Sequence, residues 1–486
     1  MGELSEGFNV IPAEATDRRG FLAQFSSGLA GMALTCLLSR PGSAGAATPG
    51  DSDDPPPHHP PRVKRVVQIF LQGGLSQVDS FDYKPELIAQ HEKPMPASER
   101  PDVFFGKVGL LHKPHFEFKQ RGQSGLWVSD LFPHLAERAD ELTVIRSMFS
   151  ATGNHTPATY LANSGFNVLG FPAAGAWVSY GLGSEADNLP TFVVLADVRG
   201  VPTGGANNWT NGFLPGRHQG ILLKSSGPAI NDLSPPEPVD ERVRQARYEF
   251  INELNQRHLG QRGQNDALAA RIRSYELAAR MQLAVPEATD LDQETEATHA
   301  LYGLDVAESA DFGRNCLLAR RLLERGVRFV QLWAGGPFGG PTWDAHDDVP
   351  SNHTGESKRI DRPVAGLLAD LRQRGMLDDT LVIFNTEFGR TPFAQSDDGK
   401  LGAGRDHNQA GFTACLAGGG LKHGVAYGAS DAFGYRAVEN PVSVYDFHAT
   451  ILHLLGIDHH RLTYYHNGIR RRLTDVHGHV VSDILA

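Results

Sequence analysis

Cysteine is almost missing from this chain: three residues in 486, Cys36, Cys316 and Cys415. Two of them lie in apolar contexts, Asn315-Cys316-Leu317-Leu318 and Ala414-Cys415-Leu416, which argues for buried core thiols and against a disulfide framework. Basic runs are lacking too. With 45 Lys and Arg against 56 Asp and Glu the net charge is -11, which excludes nucleic acid as a partner. The mature chain has no stretch of about 20 mainly apolar residues, so no stable membrane span is expected. The Gly418-Gly419-Gly420 run has no Lys-Ser/Thr companion and is not a nucleotide-binding loop. No repeat of fixed period occurs. A content of 40% hydrophobic and 21% charged residues excludes disordered, collagen-like and coiled-coil classes. What the chain has in excess is histidine, 21 residues. Much histidine with little cysteine points to acid/base chemistry or to a metal held by nitrogen and oxygen.

The first 46 residues differ from the rest. Arg18-Arg19-Gly20-Phe21-Leu22 is a twin-arginine pair followed by an apolar stretch to Leu38, diluted by Ser26, Ser27, Gly28, Gly31 and Thr35. Ala44-Gly45-Ala46 then supplies the small-x-small pattern that a signal peptidase cuts. Residues 1–46 are therefore expected to be an export signal of a bacterial protein that folds in the cytoplasm and ends in the periplasm or outside the cell. Cys36 leaves with this leader. Residues 47–64 are rich in Pro, Asp and His and are expected to form a disordered spacer.

From Arg65 onward the pattern is that of one α/β domain, residues 65–486. Val66-Val67-Gln68-Ile69-Phe70-Leu71 is a nearly continuous apolar run, the signature of a strand buried on both faces of a parallel sheet. Similar runs recur at Leu142–Ile145, Phe192–Leu195, Val327–Leu332, Leu381–Phe384 and Phe412–Leu416, with helical patterns at Ser129–Ala139, Phe312–Arg325, Ile360–Arg374 and Val444–Leu455. The alternation predicts a layered fold whose chemistry lies beyond the carboxyl ends of the strands. Residues 198–305, a Gly/Asn/Pro-rich loop and then a charged helical stretch, break the rhythm and are expected to be an insertion.

Candidate site residues fall at strand–loop junctions. Asp79 follows the first run and Gly73-Gly74, where a carboxylate can bind a metal or cap a turn. Gly153-Asn154-His155-Thr156-Pro157 marks a helix start. There Thr156 is either an N-cap or, with His155 beside it, a phosphoryl-accepting nucleophile. Trp343-Asp344-Ala345-His346-Asp347-Asp348, followed by His353, is the strongest local pattern. Alternation in an extended segment puts Asp344 and His346 on one side, and carboxylate with imidazole is the ligand mixture of hydrolytic zinc or manganese sites. A solvated acidic loop is the plain alternative. Glu387 lies just past the run at Leu381–Phe384, with Arg390 as its ion-pair partner or as an oxyanion clamp. His407, in Gly404-Arg405-Asp406-His407, is a candidate ligand or proton donor. The later histidines, among them His453, His459, His460 and His479, are read as structural or solvent-facing.

With Gly73-Gly74-x-Ser76-x-x-Asp79-x-Phe81-Asp82, Trp343-Asp344-Ala345-His346, Thr386-Glu387-Phe388-Gly389-Arg390-Thr391-Pro392 and Gly404-Arg405-Asp406-His407, the chain resembles bacterial exported proteins grouped as domain of unknown function 1501, among the alkaline phosphatase and sulfatase-like folds. The resemblance implies a three-layer αβα domain with a largely parallel central sheet. It also implies one or two divalent ions, zinc first, with manganese or calcium as alternatives. Their ligands would come from Asp79, Asp344, His346, His353, Glu387 and His407. Thr156 would be the nucleophile, His155 a ligand or proton carrier, and Arg390 a transition-state clamp. If Thr156 only caps the helix, water becomes the attacking group. The implied activity is hydrolysis of phosphate or sulfate esters of a small molecule or glycan. Two departures stand out. Phe388 occupies the place of a metal-binding His, and no Cys lies in a Cys-x-Pro-x-Arg context, which excludes a formylglycine mechanism. A non-catalytic binding protein with a degenerate metal site is the alternative.

Overall fold

Strand β1 (Arg65–Leu71) shows how the sheet is built. Val67, Ile69 and Leu71 enter one hydrophobic core, Val66 and Phe70 the other, and every residue from Val66 on is buried. In this computed structural model the described residues are 56–96, 101, 103–230, 240–262, 266–337, 339–397 and 399–486. The expected export signal lies outside them.

Besides three short two-stranded ribbons at the periphery, the remaining strands are β2 (Leu142–Phe149), β3 (Phe192–Leu195), β4 (Ile221–Leu223), β5 (Phe329–Ala334), β6 (Thr380–Asn385), β7 (Gly389–Ala394), β8 (Arg405–Asn408), β9 (Phe412–Gly418), β10 (Val425–Tyr427) and β11 (Val442–Ser443). Eight of these join β1 in one nine-stranded sheet in the order β10-β2-β9-β6-β1-β5-β3-β4, with β11 also paired to β2. Only β9 runs against its neighbours β2 and β6; the other pairs are parallel. β7 and β8 make a separate antiparallel ribbon.

The long helices are α1 (His155–Ser164), α2 (Ala174–Leu182), α3 (Glu241–Arg262), α4 (Asp266–Thr289), α5 (Ala307–Glu324), α6 (Val349–Gln373) and α7 (Val444–Leu454). Residues of α5 and α6 share a core with Val67, Ile69 and Leu71, while residues of α1, α2 and α7 share one with Val66 and Phe70. Helices thus cover both faces of a largely parallel sheet, the expected three-layer αβα arrangement. No helix among the described residues is long and apolar enough to cross a membrane.

Three expectations need correction. The spacer is not disordered over residues 56–64. The N–H groups of His58 and His59 donate to Gly456 O at 2.8 and 3.1 Å, and those of Arg62 and Val63 to Leu454 O at 2.8 and 3.0 Å. These carbonyls at the end of α7 have no partner within the helix, and the N-terminal segment satisfies them. The helix expected over Ser129–Ala139 shrinks to Pro133–Ala136, because Ser129 ends a strand and the first turn is capped from α6, where Asp361 accepts from His134 N and Leu135 N at 2.8 Å each. Within residues 198–305, β4 pairs with β3 and extends the sheet, so part of that segment belongs to the central layer.

Candidate metal centre

Four chain segments meet beyond the carboxyl ends of the strands. β1 leads into Gly73 and Gly74, whose φ values of +116° and +87° favour glycine. This turn lies against the Asp344 loop: Trp343 N donates to Gln72 O at 2.9 Å, and a Cβ on Gly73 would come within 2.5 Å of Asp344 N. Gly73→Ala should therefore displace Asp344 and weaken metal binding at least about tenfold, as losing a supporting group does; titration of the purified variant with zinc reads it.

β2 leads through residues 150–154 into α1, whose first residue is His155. Asn154 takes the N-cap position and Thr156 the second helical position, so Thr156 is not the cap. Pro157 fits there because the first-turn N–H groups have no helical acceptor. The loop after β5 supplies Asp344 and His346, and the β7–β8 ribbon sets His407 opposite Arg390.

Asp344 is the hub. Its Oδ1 accepts from Arg390 Nη2 at 2.6 Å and lies 2.8 Å from His346 Nε2 and 3.2 Å from His407 Nε2, while Oδ2 lies 3.2 Å from His155 Nε2. The ligand atoms offered by His155, Asp344, His346 and His407 all fall within 4.8 Å of one another. Each imidazole is braced from behind through Nδ1. The braces are Glu387 Oε1 at 2.8 Å for His155, Gly153 O at 2.6 Å for His407, and Gln395 Oε1 for His346. With Nδ1 committed to oxygen, Nε2 is the atom each ring offers, the arrangement in which metal-ligating histidines are held. Three imidazoles and a carboxylate converging in this way fit a divalent first-row ion.

Burial would raise the Asp344 carboxyl, but hydrogen bonds from His155, His346 and His407, with Arg390 beside them, hold it far below the usual range. Burial lowers His155, yet Asp344 and Glu387 together raise it to about 9. His407 is pulled down to about 3, by burial first and then by Arg390 and His155, against the pull of Asp344. The two carboxylates flanking His155 thus favour positive charge between them.

The other expected ligands stand outside this cluster. Asp79 is fully buried and pairs with the equally buried Arg405, Oδ2 to Nε 2.8 Å, while also accepting from Ser76 Oγ at 2.5 Å and His115 N at 2.6 Å. His353 is buried and accepts from Ser76 N at 3.0 Å through Nε2. Glu387 is a brace, receiving Gly73 N at 2.8 Å beside His155. Arg390 pairs with Asp344 instead of Glu387, and its fully buried guanidinium also donates to Gly74 O at 2.9 Å, to Arg405 O at 3.2 Å and to Gly73 O. The Phe388 ring packs 4.9 Å from that of His155 and 4.5 Å from that of His407, centroid to centroid.

Several participants carried no sequence signal. The Gly153 carbonyl braces an imidazole with an oxygen that any residue could provide, and Gln395 braces one with a side-chain amide that no motif marks. Phe104 and Phe105, 49% and 52% exposed, lie at the rim, their rings 5.1 Å from His407 and 5.0 Å from His346 respectively. An adjacent exposed aromatic pair in a loop was the available hint.

A family described as "Protein of unknown function (DUF1501)" matches residues 63–485. The chain belongs to this family. No curated protein sequence matches the chain. Solved structures similar to it include alkaline phosphatase from the Antarctic bacterium TAB5, at 10% identity over 81% of this chain and 98% of that one, TM-score 0.33. Phosphonate monoester hydrolase from Silicibacter pomeroyi matches at 13% identity over 81% and 73% of the two chains, TM-score 0.33. The PsFucS1 sulfatase from Pseudoalteromonas sp. matches at 12% identity over 82% and 68%, TM-score 0.31.

Proposed function

We propose that this DUF1501 member is a metal-dependent hydrolase of phosphate or sulfate esters, exported to the periplasm or beyond by the leader at Arg18-Arg19. One observation carries the reading: His155, His346 and His407 turn Nε2 toward Asp344 at the carboxyl edge of the sheet, each braced through Nδ1. These four residues would hold one ion, and zinc suits a nitrogen-rich set best. When bound, such an ion supplies Lewis acidity toward an ester oxygen and eases deprotonation of an attacking hydroxyl or water.

The chain's own residues do the rest. Arg390 and the Gly73 turn position Asp344, and Glu387 positions His155. With its donors spent inside the protein, Arg390 acts as a positioning residue rather than a clamp on substrate. Thr156, half-buried beside His155, offers the hydroxyl for attack. Phe104 and Phe105 shield the rim from water and pack on the ester's organic group.

The Asp79–Arg405 pair and Phe388 favour a second reading, a binding protein built on a single-ion site. Metal analysis followed by assays with aryl phosphate monoesters, diesters and sulfate esters separates the two. The hydrolase should turn over at least one ester, lose activity to a chelator and regain it with zinc, and Phe105→Ala should raise KM about 3–10-fold, the worth of one aromatic contact. Bound metal without turnover selects the binding protein. No metal would sink both readings.

A further inference from the structure

Within residues 198–305, α4 is anchored in the body of the protein and α3 rides on it. Met281, Val285 and Ala288 of α4 enter the same core as Val67, Ile69 and Leu71. α3 has 22 residues and is about 33 Å long. Its Tyr248 donates to Gln282 of α4, and Asn255, seven residues further and therefore on the same side, is buried. That side of α3 faces inward.

Another side faces solvent and carries an apolar stripe. Val243, Phe250 and Leu254 are 45%, 61% and 45% exposed, and their spacings of seven and four residues place them along one line of the helix. Exposed apolar side chains scattered singly are ordinary on a protein surface, whereas the same side chains in register along a helix are the seam by which one helix packs on another. Arg247 and Arg257 lie on the same line, are exposed, and extend the apolar surface with their methylene stems.

The order of residues in α3 selects the partner helix. Laid antiparallel on a copy of itself with Phe250 on the two-fold axis, the helix sets Phe250 on Phe250, Leu254 on Ala246, Val243 on the Arg257 stem and Arg247 beside Glu253. Two-fold symmetry makes the Arg247–Glu253 pairing twice. Glu253 is exposed and already accepts from Arg257 Nη2 at 2.5 Å within its own helix, so it flanks the stripe as the charges beside a helix seam do. A parallel pairing would instead set Arg247 on Arg247 and Arg257 on Arg257, and like charges side by side oppose it.

We propose that α3 is a dimerisation helix, through which two copies of this chain associate in an antiparallel, two-fold contact centred on Phe250. The inserted helices thereby serve assembly, and this holds whether or not the Asp344 cluster hydrolyses an ester.

Sedimentation velocity of the full chain over a concentration series tests this. The wild type should form a dimer. Phe250→Glu should weaken it at least about 30-fold, the cost of losing a central aromatic anchor, and should leave Tm unchanged because the side chain lies at the surface. Arg247→Glu and Glu253→Arg should each weaken it about fivefold, and the two changes in one chain should recover most of that loss, since each pairing across the axis then again joins opposite charges. In a Cys36→Ser background, Phe250→Cys should cross-link to its own copy on oxidation, and Val243→Cys, far from the axis in an antiparallel pair, should not. A wild type that stays monomeric throughout, a dimer that Phe250→Glu leaves intact, or Val243→Cys cross-linking as readily as Phe250→Cys overturns the proposal.

Discussion

Replacing His346 or His407 by alanine should remove one equivalent of divalent metal and, under the proposed hydrolase function, lower kcat/KM on the responsive ester by at least about 10²-fold. The lower bound comes from the cost of losing a mere supporting partner of a metal ligand, which reaches about 100-fold in affinity or activity. Here the ligand itself goes, and Asp344 loses a neighbour at 2.8 Å or 3.2 Å. His346 is the cleaner choice, because its side chain is 21% exposed and its removal opens no core. His407 packs against Phe388 and Phe104, so its variant needs a thermal unfolding control. Glu387→Gln gives a graded comparison: it keeps an oxygen behind His155 Nδ1 but removes the charge, and should cost about 10-fold. Full metal and unchanged turnover in the His346→Ala protein would end the assignment of this cluster as a catalytic centre.

The parts of this molecule legible in the sequence are those whose cause is local. β1, β3, β5, β6 and β9 announce themselves because a strand buried on both faces is apolar along nearly its whole length, and α5, α6 and α7 because one face of each is apolar. Asp344, His346 and His407 stand out because their side chains can do metal chemistry and sit just past strands or within a tight loop. What failed to show depends on partners far along the chain. β4 is only three residues long, too short for any period, and becomes a strand by pairing with β3. Residues 56–64 bear the composition of a spacer, and order comes from carbonyls at the end of α7 that no sequence pattern marks. Asp79 and His353 have the same donor chemistry as the cluster, but tertiary structure hands Asp79 to Arg405, 326 positions away, and gives His353 to the Ser76 N–H.

That reassignment of Asp79 has a large and specific consequence. As a metal ligand, Asp79 would, when changed to alanine, cost metal and leave stability little altered. As the counter-ion of Arg405 it should do the reverse: Asp79→Ala should leave metal stoichiometry intact and destabilise the fold by about 3–5 kcal/mol, the cost of stranding a buried charge. Arg405 has nowhere to discharge this cost, since it is fully buried and its other donors already serve Thr391 O, His112 O and Lys113 O. The acid side gives an independent check. Burial would raise the Asp79 carboxyl, but Arg405, helped by His115 and Ser76, more than offsets this and holds it at about 2 instead of 3.8. A depressed folded-state pKa contributes stability that is complete above about pH 4 and is lost as pH falls toward 2. The wild-type urea midpoint should therefore drop over that window, and Asp79→Asn should flatten part of the drop. Replacing both partners by apolar residues, Asp79→Leu with Arg405→Met, should recover much of what Asp79→Ala loses, because the penalty comes from the unpaired charge and not from the missing attraction. An Asp79→Ala protein that keeps its urea midpoint but binds less metal would return Asp79 to the metal centre.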